Sequence, residues 1–134
     1  MEVDGYAIEP GAHLFGASLS RANLRGANLR RAYLMDANLE GADLVSADLW
    51  AVDLEDANLA GANLTSANLK CTNLAGANLE GANLWYANLR GANLRGANLT
   101  GANLDFIERW YAERSGAIFG LGFFSREHNR LDDN

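Results

Sequence analysis

The positions of leucine set the organisation of this chain. Leucine occupies every fifth residue from Leu14 to Leu104, nineteen times without a gap, and alanine stands two places before seventeen of these leucines. A helix turns by about 100° per residue, so this period would scatter the leucines around its whole circumference. In a flat strand, successive leucines would point to opposite faces of the sheet. The pattern therefore predicts a short extended piece, with Ala and Leu both directed inward, followed by a turn that redirects the chain.

Glycine marks the turn of this repeat, because it recurs two places after leucine, where it can take a positive φ. These glycines are Gly16, Gly26, Gly41, Gly61, Gly76, Gly81, Gly91, Gly96 and Gly101. A five-residue unit is too short to bury a core of its own, so neighbouring units must stack. The sequence thus predicts one all-β solenoid domain whose core is a column of leucines.

The segment Ala77-Asn78-Leu79-Glu80-Gly81 resembles the repeat of the pentapeptide-repeat family, and the resemblance extends over roughly Ala12 to Phe106. It implies a right-handed quadrilateral parallel β-helix with four pentapeptides in each coil. Nineteen repeats then make nearly five coils, a rod roughly 23 Å long at a strand spacing of about 4.8 Å. Val52 and Thr72 replace the inward alanine, lie one coil apart and should stack on one wall.

The chain divides into three segments: an N-terminal cap at residues 1–11, the β-helix at 12–106, and a C-terminal helix, apolar cap and polar tail at 107–134. Caps are needed because the end coils expose unpaired backbone groups and open leucines. Asp105 is the expected N-cap of the C-terminal helix. Apolar residues at helical spacing are expected to cover the last coil. They are Phe106, Ile107, Trp110 and Tyr111.

The C-terminal segment holds more large apolar side chains than one cap requires. The surplus consists of Ile118, Phe119, Phe123 and Phe124. In water these side chains would form an exposed apolar patch, so we expect them to close a two-fold homodimer. The family resemblance implies the same, because a C-terminal segment makes the dimer in several pentapeptide-repeat proteins.

The net charge of −6 is unevenly placed: residues 1–11 contribute −3, the repeats −2 and residues 107–134 −1. Within the repeats, negative charges crowd into an acidic band. Its members are Asp36, Glu40, Asp43, Asp48, Asp53, Glu55 and Asp56. Arginines lie in the coil before it, and a twenty-residue coil places three of them diagonally over acidic residues. The pairs are Arg25 with Asp43, Arg30 with Asp48, and Arg21 with Glu40.

Three interpretations of the acidic band are open. The favoured one is a set of ion pairs between coils on a solvated surface, each worth about 0 to 1 kcal/mol. The second is an acidic wall that binds a basic partner. The third and least favoured is a cation site, because Asp36 and Asp56 stack as like charges with Asp53 and Glu55 close by.

Large side chains in outward positions are the candidate partner contacts. They are Val45, Trp50, Trp85 and Tyr86. Trp50 shares a column with Arg30, Lys70 and Arg90, so a cation over its ring is expected. Exposed Trp and Tyr often mark protein interfaces. The alternative, in which the C-terminal segment covers Trp85, Tyr86 and Phe106, is equally open.

The sequence shows no catalytic constellation. His13 and His128 are the two histidines, and their placement gives no nucleophile–histidine pair with usable geometry. His13 is expected to stack on Tyr33, one coil later. The glycines follow the coil period and form no phosphate-binding loop. The thirteen asparagines before leucines are expected to form turns or stacked side-chain hydrogen bonds. We therefore expect a non-enzyme without a cofactor or metal.

Cysteine usage and hydropathy indicate the compartment. Cys71 is the single cysteine, so neither a disulfide framework nor a zinc site is expected, and a reducing cytoplasm is favoured. The longest apolar stretch, residues 117–124, is interrupted by Gly120 and Gly122 and is too short to span a membrane. We see no basic-then-apolar start typical of a signal peptide.

Two classes of function are compatible with these features. The favoured one is a structural or interaction module that presents a rigid wall to a protein partner, which the sequence does not identify. The second, implied by the family resemblance, is a double-stranded DNA mimic that occupies the DNA site of a type II topoisomerase such as gyrase, either inhibiting it or protecting it from quinolones. Such a mimic requires acidic walls along the rod, whereas these repeats are nearly neutral. We expect no direct binding of nucleic acid.

Overall fold

The computed structural model describes residues 1–120, apart from the side chain of Ile107. Its main body is a parallel β-helix in which the middle residue of each pentapeptide from His13 to Asn83 bridges the residue twenty positions later, as His13 does with Tyr33 and Asn83 with Asn103. The amide of Leu14 donates to the carbonyl of Tyr33 at 2.8 Å, and the amide of Tyr33 donates back to Ala12 at 2.9 Å. Four pentapeptides therefore make one coil, as predicted.

Each pentapeptide ends in a tight turn. The amide of Ala17 donates to the carbonyl of Leu14 at 3.0 Å, and Gly16 between them has a φ of 66°. This is the hydrogen bond and the positive φ of a type II turn. The same slot has a positive φ where glycine is absent, for example at Arg21 and Tyr86. The turn geometry thus holds after every repeat leucine from Leu14 to Leu99, whatever residue occupies the position.

The core is the predicted column of alanine and leucine. All the repeat leucines from Leu14 to Leu104 are buried, together with their alanines. The two replacements are also buried and adjacent, since the amide of Asn73 donates to the carbonyl of Val52 at 2.9 Å. The hydroxyl of Thr72 donates to the carbonyl of Leu49 at 2.7 Å, so its polar atom has a partner inside the coil.

The N-terminal segment forms a small hairpin that the sequence analysis did not predict. Strand β1 (Glu2–Val3) pairs with β2 (Tyr6–Ala7) in antiparallel register. Asp4 and Gly5 between them both have positive φ, 52° and 85°, which is the signature of a type I′ turn. The segment covers the first coil: Ile8 joins the core, and the hydroxyl of Tyr6 accepts a hydrogen bond from the amide of Ser18 at 3.2 Å.

Helix α1 (Phe106–Arg114) follows the last repeat. Its N-cap is the predicted Asp105, whose carboxylate accepts from the amide of Glu108 at 2.9 Å. After the helix the chain returns to the β-helix at Ile118, which bridges Asn98. The amide of Ile118 donates to Ala97, and its carbonyl accepts from Leu99, both at 2.7 Å. The helix therefore replaces part of a further coil, and the chain regains the twenty-residue register beyond it.

Candidate functional site

The walls of the rod are held by ladders of asparagine and aspartate. In most repeats the side-chain oxygen of this residue accepts from the backbone amide two positions later, as Asn78 does from Glu80 at 3.1 Å. The side-chain amide donates to the residue one coil below, as Asn78 does to Asn58 at 3.3 Å and Asn73 to Asp53 at 3.2 Å. Both expected roles of the asparagines, turn formation and stacking, are therefore confirmed. These side chains are committed to the structure of the wall.

Three of the seven residues of the acidic band, Asp43, Asp48 and Asp53, take part in the same scheme. Arg25 pairs with Asp43 at 3.3 Å and Arg30 with Asp48 at 3.2 Å, which confirms two of the three ion pairs. The other carboxylate oxygens of Asp43 and Asp48 accept from the backbone amides of Val45 and Trp50. Asp53 accepts from the backbone amide of Glu55 at 3.1 Å in the same way. These carboxylates therefore act as ladder residues and ion-pair partners within the coil surface.

The third expected ion pair is absent from the described residues. The backbone amide of Arg21 donates to the carbonyl of Glu40 at 2.7 Å, but no side-chain pair joins them. The stem of Arg21 lies against Gly41, where an added Cβ would stand 3.3 Å from its Cγ. Backbone pairing and packing thus hold Arg21 at this corner without a charge contact.

Ring contacts confirm two further column predictions. His13 and Tyr33 stack with ring centroids 5.0 Å apart. The guanidinium of Arg30 lies over the Trp50 ring at 4.7 Å, and that of Arg31, which the sequence analysis did not implicate, lies at 5.0 Å. Trp50 and Val45 are half-buried. Trp50 is therefore engaged by its own coil surface and offers less of its ring to a partner than the sequence predicts.

Exposed aromatic side chains cluster at one corner near the C-terminal end of the rod. We call Trp85, Tyr86 and Phe106 the aromatic corner; their exposed fractions are 39%, 67% and 58%. The rings of Trp85 and Tyr86 meet edge to face at 5.3 Å. Phe106 stands twenty residues after Tyr86 and is the first residue of the C-terminal helix. The described part of the C-terminal segment leaves these three side chains exposed; the rest of that segment lies outside the described residues.

The cap on the last coil differs from the expected apolar one. Phe106 and Trp110 are more than half exposed, so they do not cover the coil, whereas Tyr111 is half-buried and Ala112 is fully buried. Ile118 is also exposed, and Phe119 packs partly against the core. The side chain of Ile107, and residues Phe123 and Phe124, lie outside what the structure describes.

Polar groups of the helix explain this orientation. In each inner coil the leucine amide donates to a backbone carbonyl of the next coil, as Leu69 does to Asn88. At the open end the carboxylate of Glu108 accepts from the amide of Leu89 at 3.0 Å, and the hydroxyl of Tyr111 accepts from Gly91 at 2.7 Å. These side chains substitute for the missing coil, and unpaired backbone amides are costly enough to set the rotation of the helix.

Shallow clefts lie around this end among the described residues. One of about 320 Å³ is lined by Thr65, Asn83, Trp85 and Asn103. Two further clefts flank the helix, and both are lined by Arg90 and Glu108. The cleft of about 360 Å³ is also lined by Asp105 and Phe106, and the cleft of about 280 Å³ by Trp110 and Tyr111.

A family profile described as pentapeptide repeats matches residues 12–50, 42–81 and 72–105, in eight copies. The chain belongs to the pentapeptide-repeat family. Proteins of this family form right-handed quadrilateral β-helices, so the fold class expected from the sequence is confirmed. A search of curated proteins gave no match.

Solved structures of other pentapeptide-repeat proteins resemble this one. Rfr23 from the cyanobacterium Cyanothece 51142 is 53% identical, with a TM-score of 0.56 over 57% of this chain and 52% of Rfr23. This chain thus spans about half the length of Rfr23. A protein of the Arabidopsis thaliana thylakoid lumen is 30% identical over 78% of each chain, with a TM-score of 0.59.

QnrB1, a plasmid-mediated fluoroquinolone resistance protein, is similar in fold alone. It is 19% identical, with a TM-score of 0.58 over 85% of this chain and 63% of QnrB1.

The described part of this pentapeptide-repeat protein lacks two other kinds of site. Within residues 1–120, no group of three or more His, Cys, Asp or Glu side chains is placed to hold a metal ion. The carboxylates around Asp36 and Asp56 are therefore not placed as a metal site. No helix there is long and apolar enough to cross a membrane. Cys71 is exposed in its turn, as its position in the repeat predicts.

Burial raises the pKa of the Glu108 carboxyl above its ordinary value, although the hydrogen bond from the amide of Leu89 acts to lower it. The nearby carboxylate of Asp105 adds to the rise. Because the folded state then binds this proton more tightly than the unfolded chain, stability falls as pH rises from the ordinary pKa through the raised one. The hydrogen bond that closes the last coil is thus made by a carboxylate whose ionisation weakens the folded state.

We expect Glu108→Gln to flatten this pH dependence. The amide oxygen of glutamine can still accept from Leu89, but it carries no proton to lose. Urea unfolding between about pH 4 and pH 7 should show the variant gaining stability relative to the parent as pH rises. Glu80→Gln, at an exposed corner, is the control for loss of one charge. Parallel curves for the two variants would contradict the prediction.

Proposed function

We propose that this pentapeptide-repeat protein is a non-enzymatic interaction module that presents a rigid surface to a protein partner. The module is a rod of nearly five coils, closed at one end by helix α1. The observation that carries the proposal is the aromatic corner, where Trp85, Tyr86 and Phe106 are exposed together. Large exposed aromatics are enriched at protein interfaces and supply most of their binding energy.

The walls around this corner suit such a role because their side chains are already fixed. Asn83, at the base of this corner, is bridged to Asn63 and Asn103 in the coils on both sides, and the side-chain amide of Asn103 donates to Asn83 at 3.2 Å. A surface fixed before binding loses little conformational entropy when a partner docks. The rigid β-helix therefore adds affinity to contacts made by the few variable corner residues.

A second copy of the chain is one partner that we propose. Phe106, Trp110 and Ile118 are each more than half exposed near the C-terminal end, and an isologous two-fold contact would cover them reciprocally. The exposure of Ile118 supports its assignment to the dimer patch. Phe119, which packs partly against the core and lies under Arg109 at 5.4 Å, contributes less.

The alternative of a DNA mimic acting on a type II topoisomerase has less support. The acidic band of this chain is interrupted by the ion pairs of Arg25 with Asp43 and Arg30 with Asp48. Neutralised carboxylates contribute little to a negative potential along the rod. The likeness to QnrB1 concerns the fold, and fold does not imply function.

The test of the proposed function is a capture experiment with paired variants. We expect the double variant Trp85→Ala and Tyr86→Ala to lower partner capture about tenfold or more, the effect of losing interface anchors. Phe15→Ala is the matched control, because Phe15 is exposed to the same extent as Tyr86, 66% against 67%, but lies in the first coil. Light scattering on the same variants separates a second copy from a foreign partner. Equal losses for both variants, or none, would reject the aromatic corner as the binding surface.

A further inference from the structure

The asparagine ladder is broken beside Trp85. Elsewhere on the walls many side-chain amides donate to the oxygen one coil below, as Asn98 does to Asn78 and Asn93 to Asn73, although those of Asn63 and Asn88 make no such bond within residues 1–120. On this wall the hydroxyl of Thr65 donates to the side-chain oxygen of Asn63 at 2.6 Å, and the backbone amide of Thr65 also bonds there. Asn63 is therefore saturated as an acceptor. Among residues 1–120, the side-chain amide of Asn83 has no hydrogen-bond partner.

A free acceptor lies one coil further along. The side-chain amide of Asn103 donates to Asn83 at 3.2 Å, but no described donor bonds the side-chain oxygen of Asn103. The same four residues, Thr65, Asn83, Trp85 and Asn103, line the cleft of about 320 Å³. One side of this cleft thus has a partly exposed indole ring, with an unused donor and an unused acceptor on neighbouring coils.

We propose that this cleft binds a neutral carbohydrate. The axial C–H bonds of a pyranose ring give it an apolar face that packs on an indole, while its hydroxyls both donate and accept hydrogen bonds. An aromatic surface with a few fixed polar groups is the usual composition of a small-ligand site. The four lining residues carry no charge, so a charged ligand would find no counter-ion among them.

The charges around the cleft disfavour a nucleotide, the other flat ligand with donor and acceptor edges. Asp105 follows Trp85 in its column, and the chain has a net charge of −6. A phosphate would therefore be repelled rather than steered toward the site. A neutral sugar is unaffected by this field. The inference goes beyond the proposed protein-binding function and does not depend on it.

The experiment follows the side-chain amide signals of asparagine by NMR during titration with cellohexaose, maltohexaose and chitohexaose. The Asn83→Asp variant identifies the signal of Asn83. For a shallow site we expect a dissociation constant of about 0.1 to 10 mM for at least one sugar, with shifts at Asn83 and the Trp85 indole. Trp85→Ala should abolish these shifts, whereas Trp50→Ala, on a different corner, should preserve them.

Thr65→Val provides the sharper test. Without the hydroxyl, the side-chain oxygen of Asn63 can accept a hydrogen bond from the side-chain amide of Asn83. That amide is then no longer available to bind a sugar. Affinity should fall about threefold to tenfold, the worth of one hydrogen bond, while partner capture through Tyr86 is unchanged. Three results would overturn the proposal: no shift with any sugar up to about 10 mM, shifts that persist in Trp85→Ala, or binding of an uncharged Gly-Ser-Asn peptide in place of the sugars.

Discussion

Leu64→Ala should lower the free energy of unfolding by about 2 to 5 kcal/mol, the range for leucine truncation in a packed core. Leu64 is fully buried in the middle of the rod, with Leu44 and Leu84 one coil away on either side. The surrounding backbone cannot collapse into the cavity, because Asn63 is bridged to both Asp43 and Asn83. Stacked walls thus place this substitution toward the upper part of the range.

Urea unfolding followed by circular dichroism measures the loss. Lys70→Ala, in an exposed outward position of the next repeat, is the control and should change stability by about 0.5 kcal/mol or less. A loss below about 1 kcal/mol for Leu64→Ala would mean that the coils relax around the cavity. The inward column would then not be the main source of stability.

Much of the fold could be predicted because, with a fixed coil length, the separation of two residues in the sequence determines whether they are neighbours in space. Once twenty residues make a coil, His13 must lie beside Tyr33, Arg30 near Trp50, and Val52 beside Thr72, and the structure has all three contacts or adjacencies. Side-chain choice matters less than register in such a solenoid, since each unit touches only its neighbours. The repeat therefore predicted core, walls and columns together.

The ends were harder because no period governs them. Helical spacing showed that Phe106 and Trp110 share a face, but it could not show that the hydrogen bonds of Glu108 and Tyr111 with the last coil turn that face outward. One signal was available: Glu108 lies twenty residues after Asn88, in the position of the next coil. Continuing the repeat count beyond the last leucine would have identified it.

At the other end, strands β1 and β2 have two residues each, which is too short for an alternating pattern to be recognised. The Asp4-Gly5 dipeptide is nevertheless a strong hairpin signal. On the wall of the rod, the break in the ladder at Asn83 depends on the choice of one hydroxyl rotamer at Thr65. A repeat pattern carries no information about such a choice.

Replacing a glycine in the turn position is the second substitution with a large expected effect on stability. Two glycines separate the effect of backbone strain from that of side-chain contact. Gly61 has a φ of 66° with nothing within 4 Å of an added Cβ, whereas a Cβ on Gly76, at 68°, would meet the carboxylate of Asp56. Gly61→Ala isolates the left-handed backbone and should destabilise the fold by about 1 to 2 kcal/mol. Gly76→Ala should lose slightly more, because Asp56 ends a flexible side chain that can move aside.

The reverse substitution completes the argument. Ala51 occupies the same slot with a φ of 56°, so Ala51→Gly should relieve that strain. The gain should be about as large as the loss in Gly61→Ala, because the backbone strain and the extra freedom of glycine in the unfolded chain, about 0.4 to 1 kcal/mol, enter both substitutions with opposite sign. Urea unfolding of the three variants tests the order: Gly76→Ala least stable, then Gly61→Ala, then the parent, with Ala51→Gly above it. If the alanine variants match the parent, the coil tolerates a side chain at positive φ and glycine recurs there for another reason.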